Sequence, residues 1–282
     1  MQRLFMIKHF CYATNEGFAP YMAVSITSLL ENNASHNIVV HILHSDLSEA
    51  TLARLSSFEA RYKNAKILFH KIDSSRFEKF GLTIEHITKE TYFRYMIADV
   101  LRDIDRVLYL DGDTIVNGDI SELFDTDLTN FYCAGVRDIY IESVDHKKDG
   151  LYINAGVILF NLDEMRKTNA AEKLFKLTAE NNFKHQDQDA INVAFNGKIK
   201  ELDCIYNFKR DHQKNFPQRL HSAKIVHYVG PSKPWKKFTL NPVKLLYYKY
   251  EVLSPLPRSC TRIFQELLSF LATIRLRLFG VI

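Results

Sequence analysis

Long apolar runs are missing from this sequence of 282 residues. No stretch reaches the roughly 18 uncharged apolar residues of a membrane-spanning helix, so none is expected. Only four apolar residues stand between Arg3 and Lys8, too few for the apolar core of a secretory signal. Cysteine is scarce: Cys11, Cys133, Cys204 and Cys260, with no Cys-x-x-Cys spacing. That argues against a disulfide framework or a thiolate zinc site and fits reduced thiols in a cytoplasmic protein. Net charge is only +4, from 37 Lys and Arg against 33 Asp and Glu, which does not by itself call for a nucleic-acid partner. Internal repeats and low-complexity tracts are absent as well. What is left is an ordinary globular composition, 46% hydrophobic and 25% charged, with a length suited to one or two domains.

The excess charge lies at one end. From Lys244 onward there are six basic residues (Lys244, Lys249, Arg258, Arg262, Arg275 and Arg277) and two acids (Glu251 and Glu266), so residues 1–243 sum to zero. Pro242, Pro255 and Pro257 punctuate this segment, and residues 259–279 read as one helix rich in Leu, Ile, Phe and Arg. Its longest uncharged stretch, Leu267–Ile274, has eight residues. Such a helix is too short to cross a bilayer and suited to lying on one. The chain therefore divides into residues 1–240 and a basic, apolar segment, 241–282, expected to associate with a membrane surface.

Residues 1–235 alternate short β-branched or aromatic runs with helical periods. Strands are expected at Leu4–Ile7, Ile38–Leu43, Lys66–Phe69, Arg106–Leu110, Ala134–Val136, Val157–Phe160 and Ile225–Tyr228. Helices are expected at Pro20–Asn32, Leu47–Tyr62 and Thr91–Leu101, and from a cap at Asp163 to about Asn181. Strands alternating with longer helices predict an α/β domain with a mainly parallel sheet.

Four blocks could carry chemistry. In Tyr109-Leu110-Asp111-Gly112-Asp113 a buried strand ends in two carboxylates one residue apart. Ligands collect at the carboxyl ends of strands in open α/β sheets, and paired carboxylates there can hold a divalent cation. The same residues also suit a hairpin turn with solvated acids. Asn154-Ala155-Gly156 could present an amide to a sugar or phosphate, or simply lead into a buried strand. Gln186-Asp187-Gln188-Asp189 opens a helical run with more hydrogen-bonding groups than capping needs, and sugars want such paired donors and acceptors. His227 ends a strand and is followed by Gly230 and Lys233, which could approach and neutralise a diphosphate.

With the four blocks in this order, YLDGDTIV (109–116), YINAGVILFNL (152–162), DQDAIN (187–192) and HYVGPSKPW (227–235), the chain resembles glycosyltransferase family 8 over residues 4–236. The likeness is to bacterial lipooligosaccharide α-1,4-galactosyltransferases and lipopolysaccharide glucosyl- and galactosyltransferases. The resemblance implies a Rossmann-like nucleotide-sugar domain of the GT-A type. It implies Asp111, Asp113 and His227 as ligands of Mn²⁺ on the diphosphate of a UDP-sugar, with Gly230 and Lys233 contacting that diphosphate. Ala13, Asn15 and Phe18 match the segment that holds uridine, where the family often has Asp and Tyr at the last two positions. Arg94, Asp138, Asn154, Asp187 and Gln188 match positions lining the donor sugar, and Gln188 stands near the anomeric carbon. The implied reaction is retaining transfer of galactose or glucose to a lipid-linked oligosaccharide at the cytoplasmic face of the inner membrane. An amide is a poor nucleophile, which favours same-face displacement over a covalent intermediate. The charged segment Ile139–Leu151 reads as a lid or acceptor loop. Two rivals remain. A catalytically silent module of the same fold is disfavoured by the intact metal set. A self-glucosylating enzyme would need a tyrosine acceptor loop, and Tyr247, Tyr248 and Tyr250, the one cluster, read as packing residues.

Overall fold

The computed structural model describes residues 7–82, 88–145, 150–236 and 243–258, together with residues 264, 265, 268 and 271. Nine strands are formed among them: β1 (Lys8–Thr14), β2 (Ile38–His44), β3 (Ala65–Lys71), β4 (Arg106–Leu110), β5 (Thr114–Val116), β6 (Cys133–Arg137), β7 (Ile153–Asn161), β8 (Ile199–Leu202) and β9 (Ile225–His227). Seven of them make one sheet in the order β3-β2-β1-β4-β7-β6-β8, and β5 pairs with β9 in a second, two-stranded sheet. The pairs β1/β2, β2/β3, β1/β4 and β6/β8 are parallel. Within the seven-stranded sheet only β7 runs antiparallel to its neighbours, β4 and β6, and the β5/β9 pair is antiparallel as well. The mainly parallel α/β expectation holds. The strand order reverses between β1 and β4, and that switch point is where open α/β sheets leave a crevice for ligands.

The helices are α1 (Ala19–Asn32), α2 (Glu49–Ser56), α3 (Phe58–Arg61), α4 (Ile97–Val100), α5 (Ile139–Val144), α6 (Leu162–Lys167), α7 (Ala170–Glu180), α8 (Gln186–Ala194), α9 (Arg210–Asn215) and α10 (Lys244–Glu251). On one face of the sheet α1 buries Met22, Ile26 and Leu29 against Phe10, Val40 and Ile42. On the other face Tyr92, Tyr95, Phe160 and Ile191 close a second core. A third, aromatic core joins Trp235 to Tyr247, Tyr248 and Tyr250 of α10. Those tyrosines are at most 5% exposed, so they are packing residues.

Several boundaries differ from expectation. The first strand starts at Lys8 and includes His9 and Thr14, polar residues in a strand that runs inside the sheet. Of the run Leu4–Ile7, Ile7 lies outside a strand, and residues 4–6 lie outside the described residues. The helix expected over 47–62 is two helices, α2 and α3, and that over 91–101 is a 3₁₀ segment, Lys89–Met96, followed by α4. The helix expected from Asp163 breaks at Asn169, which sits in the left-handed region (φ 50°). Its N-terminal cap is Asn161, whose side chain accepts from the Glu164 amide at 3.2 Å, while Asp163 pairs with Arg166 instead. The 259–279 helix lies mostly outside the described residues, as do residues 146–149 of the expected lid.

Candidate active site

β4 ends at Leu110, and the next three residues turn into β5. This is no hairpin: β4 pairs with β7, while β5 pairs with β9 so that Thr114 lies opposite His227. The Tyr228 amide then donates to the Asp113 carbonyl at 3.0 Å. Two carboxylates and an imidazole that are more than a hundred residues apart in sequence are thereby brought together. The ligating atoms of Asp111, Asp113 and His227 lie within 4.8 Å of one another. His227 Nε2 is 3.1 Å from Asp113 and 3.8 Å from Asp111.

The donor set fits a divalent cation. His227 Nδ1 donates to the Asn207 side-chain oxygen at 2.9 Å, which makes Nε2 the ring nitrogen that faces the carboxylates. Asn207 is wholly buried and is itself fixed by donating to Asn154 at 2.9 Å. Gly156 clears the space. A Cβ there would fall 2.2 Å from His227 and 2.6 Å from the Asp111 carboxylate. Burial pushes the Asp113 carboxyl up, but Lys233 and His227 outweigh it and hold it well below the usual range. It is therefore ionised at neutral pH. The Lys233 ammonium reaches Asp113 and the Tyr228 carbonyl, so it stands at the metal cluster, and Gly230 (φ 81°) makes the turn that returns it there. Only glycine adopts that backbone angle without strain.

A cleft of about 1010 Å³ opens over this cluster at the β1/β4 switch. Ala13, Asn15 and Phe18 form one wall, and Gly112 lies beside Phe18. The Asn15 oxygen accepts from the Phe18 amide at 3.0 Å, and its amide donates to Glu90 at 3.1 Å. Phe18 is held edge-on by Tyr21 and Trp235. Arg94, 3% exposed, bridges the walls. It pairs with Asp111 at 2.9 Å and Asp187 at 3.1 Å, donates to the Ala155 carbonyl, and lies over the Tyr109 ring. Asp187 thus orients Arg94, which in turn orients a metal carboxylate.

The opposite wall is a closed hydrogen-bond network. The Gln188 oxygen accepts from Asn154 at 2.9 Å and from the Ala155 amide at 3.1 Å, and its nitrogen donates to Asp138 at 3.2 Å. Gln186 holds the left-handed region (φ 50°) at the start of α8 and turns Asp187 and Gln188 toward the cleft. Asp138 also accepts from Asn154 at 3.1 Å and from Lys209 at 2.6 Å. Burial raises its carboxyl, but Lys209 wins and keeps it below the ordinary value.

All the site residues anticipated from sequence line this one cleft or its floor. Asn207 and Lys209 escaped notice. Neither sits in a motif, and each matters only through a partner brought in by the fold: His227, twenty residues on, and Asp138, seventy-one residues back.

The open α/β sheet with a carboxylate–histidine cluster at its switch point is the fold of the GT-A glycosyltransferases, as its likeness to solved structures shows, a class that typically uses a divalent metal. The chain belongs to glycosyl transferase family 8, whose family model matches residues 9–239. It is 27% identical over 257 residues to an Escherichia coli lipopolysaccharide 1,2-glucosyltransferase, covering 84% of this chain and 75% of that one. It is 29% identical over 267 residues to a Salmonella typhimurium lipopolysaccharide 1,3-galactosyltransferase, covering 86% and 77%. Among solved structures, the galactosyltransferase LgtC in complex with donor and acceptor sugar analogues superposes with a TM-score of 0.76 at 25% identity, covering 87% of this chain and 96% of that one.

Proposed function

We propose that this glycosyltransferase moves galactose or glucose from UDP, with retention of configuration and with Mn²⁺, to a lipid-linked oligosaccharide of lipopolysaccharide or lipooligosaccharide. The observation that carries the reading is the Asp111–Asp113–His227 cluster on the floor of a cleft large enough for a nucleotide sugar. When bound there, the ion supplies Lewis-acid stabilisation of the leaving diphosphate. Lys233 adds charge to the same oxygens, so the leaving group needs no carboxylic acid to protonate it. Phe18 stacks the base, and Asn15 pairs with its edge. Arg94 and Asp187 keep Asp111 oriented. Both hydrogen-bonding ends of the Gln188 amide are engaged, by Asn154, Ala155 and Asp138. An amide so committed is no nucleophile, which supports same-face displacement, with Asp138, Asn154 and Gln188 lining the sugar. The relatives named for lipopolysaccharide glucosyl and galactosyl transfer support the acceptor class.

The membrane surface belongs to the same reading. Among the described residues no helix is long and apolar enough to cross a membrane. Phe264, Leu268 and Leu271 are helical and 61, 50 and 60% exposed, at the i, i+4, i+7 spacing of one face. An exposed apolar face beside basic residues suits peripheral attachment to an anionic inner leaflet.

Calorimetric titration of UDP-galactose, UDP-glucose and UDP-N-acetylglucosamine, each with and without Mn²⁺, tests the donor side. Manganese-dependent binding of one hexose donor is expected. A folded protein that binds none of them would overturn the reading. Asp113→Asn removes a ligating carboxylate at the open site and should lower transfer by at least about 10²-fold.

A further inference from the structure

Lys209 lines the cleft, and Asn207, two residues before it, is wholly buried. Asn207 holds His227 at the metal cluster, and two residues later Lys209 holds Asp138 in the sugar-side network. The chain then continues outward as α9, which carries Arg210 and Lys214, both exposed and both lining the cleft. Among the described residues neither has a hydrogen-bond or ion-pair partner. The one acid between them, Asp211, lies 3.5 Å from the Lys209 ammonium, which also holds Asp138 at 2.6 Å, and it makes no ion pair with Arg210 or Lys214.

Helix energetics give no reason for this pair. Arg210 occupies the first position of α9, where a positive charge opposes the helix dipole. Arg210 and Lys214 stand four residues apart, where like charges repel. Nor does the diphosphate need them, since Lys233 already stands at the carboxylate–histidine cluster, whereas Arg210 directly follows Lys209, the partner of Asp138 in the sugar-side network. Two unpartnered cations on a cleft wall are the chemistry of an anion site.

We infer that Arg210 and Lys214 form an anion-binding subsite at the acceptor end of the cleft, so that the acceptor bears a phosphate or carboxylate next to the sugar being extended. This rests on the proposed function above and names the acceptor class within it.

The test uses the full chain with UDP and Mn²⁺ and three probes: lactose, lactose 1-phosphate and lactobionate. Binding is measured at about 50 mM and about 500 mM NaCl, since exposed pairs are screened at high salt. At low salt, at least one anionic probe is expected to bind about tenfold more tightly than lactose. Phosphate and carboxylate are told apart by which probe gains. The advantage should shrink at high salt and vanish in Arg210→Gln/Lys214→Gln. Equal binding of the three probes, including no measurable binding of any, overturns the subsite. So does an advantage that survives in the double variant, or a double variant that loses UDP affinity instead, which would move the two cations to the donor side. Manganese-dependent UDP binding by the unsubstituted protein is read first. Its absence overturns the proposed function, whereas intact UDP binding with equal probe affinities overturns the subsite alone.

Discussion

Asn207 does for His227 what neither metal carboxylate can do: it selects the tautomer. An imidazole whose Nδ1–H is held by an amide oxygen presents Nε2 as a ligand in a fixed direction. Removing that partner in Asn207→Ala should weaken metal binding by about 10–100-fold with little change in overall fold, which manganese titration read beside a thermal melt would show. Gly156→Ala is the steric counterpart. Its Cβ would meet His227 at 2.2 Å, so the imidazole or Asp111 must move. Loss of manganese binding with native circular dichroism is the expected result. Full manganese affinity in Gly156→Ala would show that the cluster tolerates displacement and that the glycine is not needed for it.

β1, β2 and β3 carry a feature outside the cleft. His9, His41 and His70 stand side by side on the three strands, with ring nitrogens 3.0 Å apart at each step. Burial, then the two neighbouring rings, pushes His41 down to about 3, and burial lowers His9 and His70 as well. The folded protein therefore holds these rings neutral. Above about pH 6.5 the unfolded chain is also neutral there, and stability is independent of these groups. Below it the unfolded chain takes up protons that the folded chain refuses, so stability falls as pH drops toward 3. At pH 5.5 His41 accounts for on the order of 1 kcal/mol. Denaturant titrations across pH 7.5 to 5 should show this acid limb, flattened by about that amount in His41→Gln. At the start of α6, Asn161→Ala should cost about 1 kcal/mol through the lost cap, and more because the same amide donates to the Leu128 and Phe131 carbonyls.

The molecule ends its packed body later than composition suggests. Lys244 is buried, Lys249 lies over Tyr250, and Arg258 pairs with the buried Glu251 at 2.9 Å. Half of the basic excess assigned to the tail is thus engaged in the fold. A chain ending at residue 258 should remain folded and move from membranes to the soluble fraction. Co-sedimentation with anionic liposomes checks this, and unchanged sedimentation would remove the attachment role of residues 259–282. A chain ending at 254 loses Arg258 and leaves Glu251 as an unpaired buried carboxylate, a loss of about 3–5 kcal/mol. A chain ending at 243 also uncovers Trp235 and should not fold.

Order and chemistry were legible in the linear chain because they are local. β4 is an apolar run, and the carboxylates, amides and lysine that follow strands stand in short blocks whose residue types announce hydrogen bonding and metal ligation. Helix α1 was legible for the same reason, with Met22, Ile26 and Leu29 in phase. Breaks such as Asn169, the 3₁₀ course of Lys89–Met96 and the short strand β5 were not, because apolar period alone does not reveal where tertiary packing overrides a helix or pairs three residues with a distant strand. Asn207 and Lys209 were invisible for a deeper reason. A side chain that acts through another has no signature of its own until folding sets it beside His227 or Asp138. The residue types that can bind a nucleotide sugar are written in the sequence. Which of them touch, which charges are neutralised and which are left facing the cleft depends on distances that exist only after the sheet has closed.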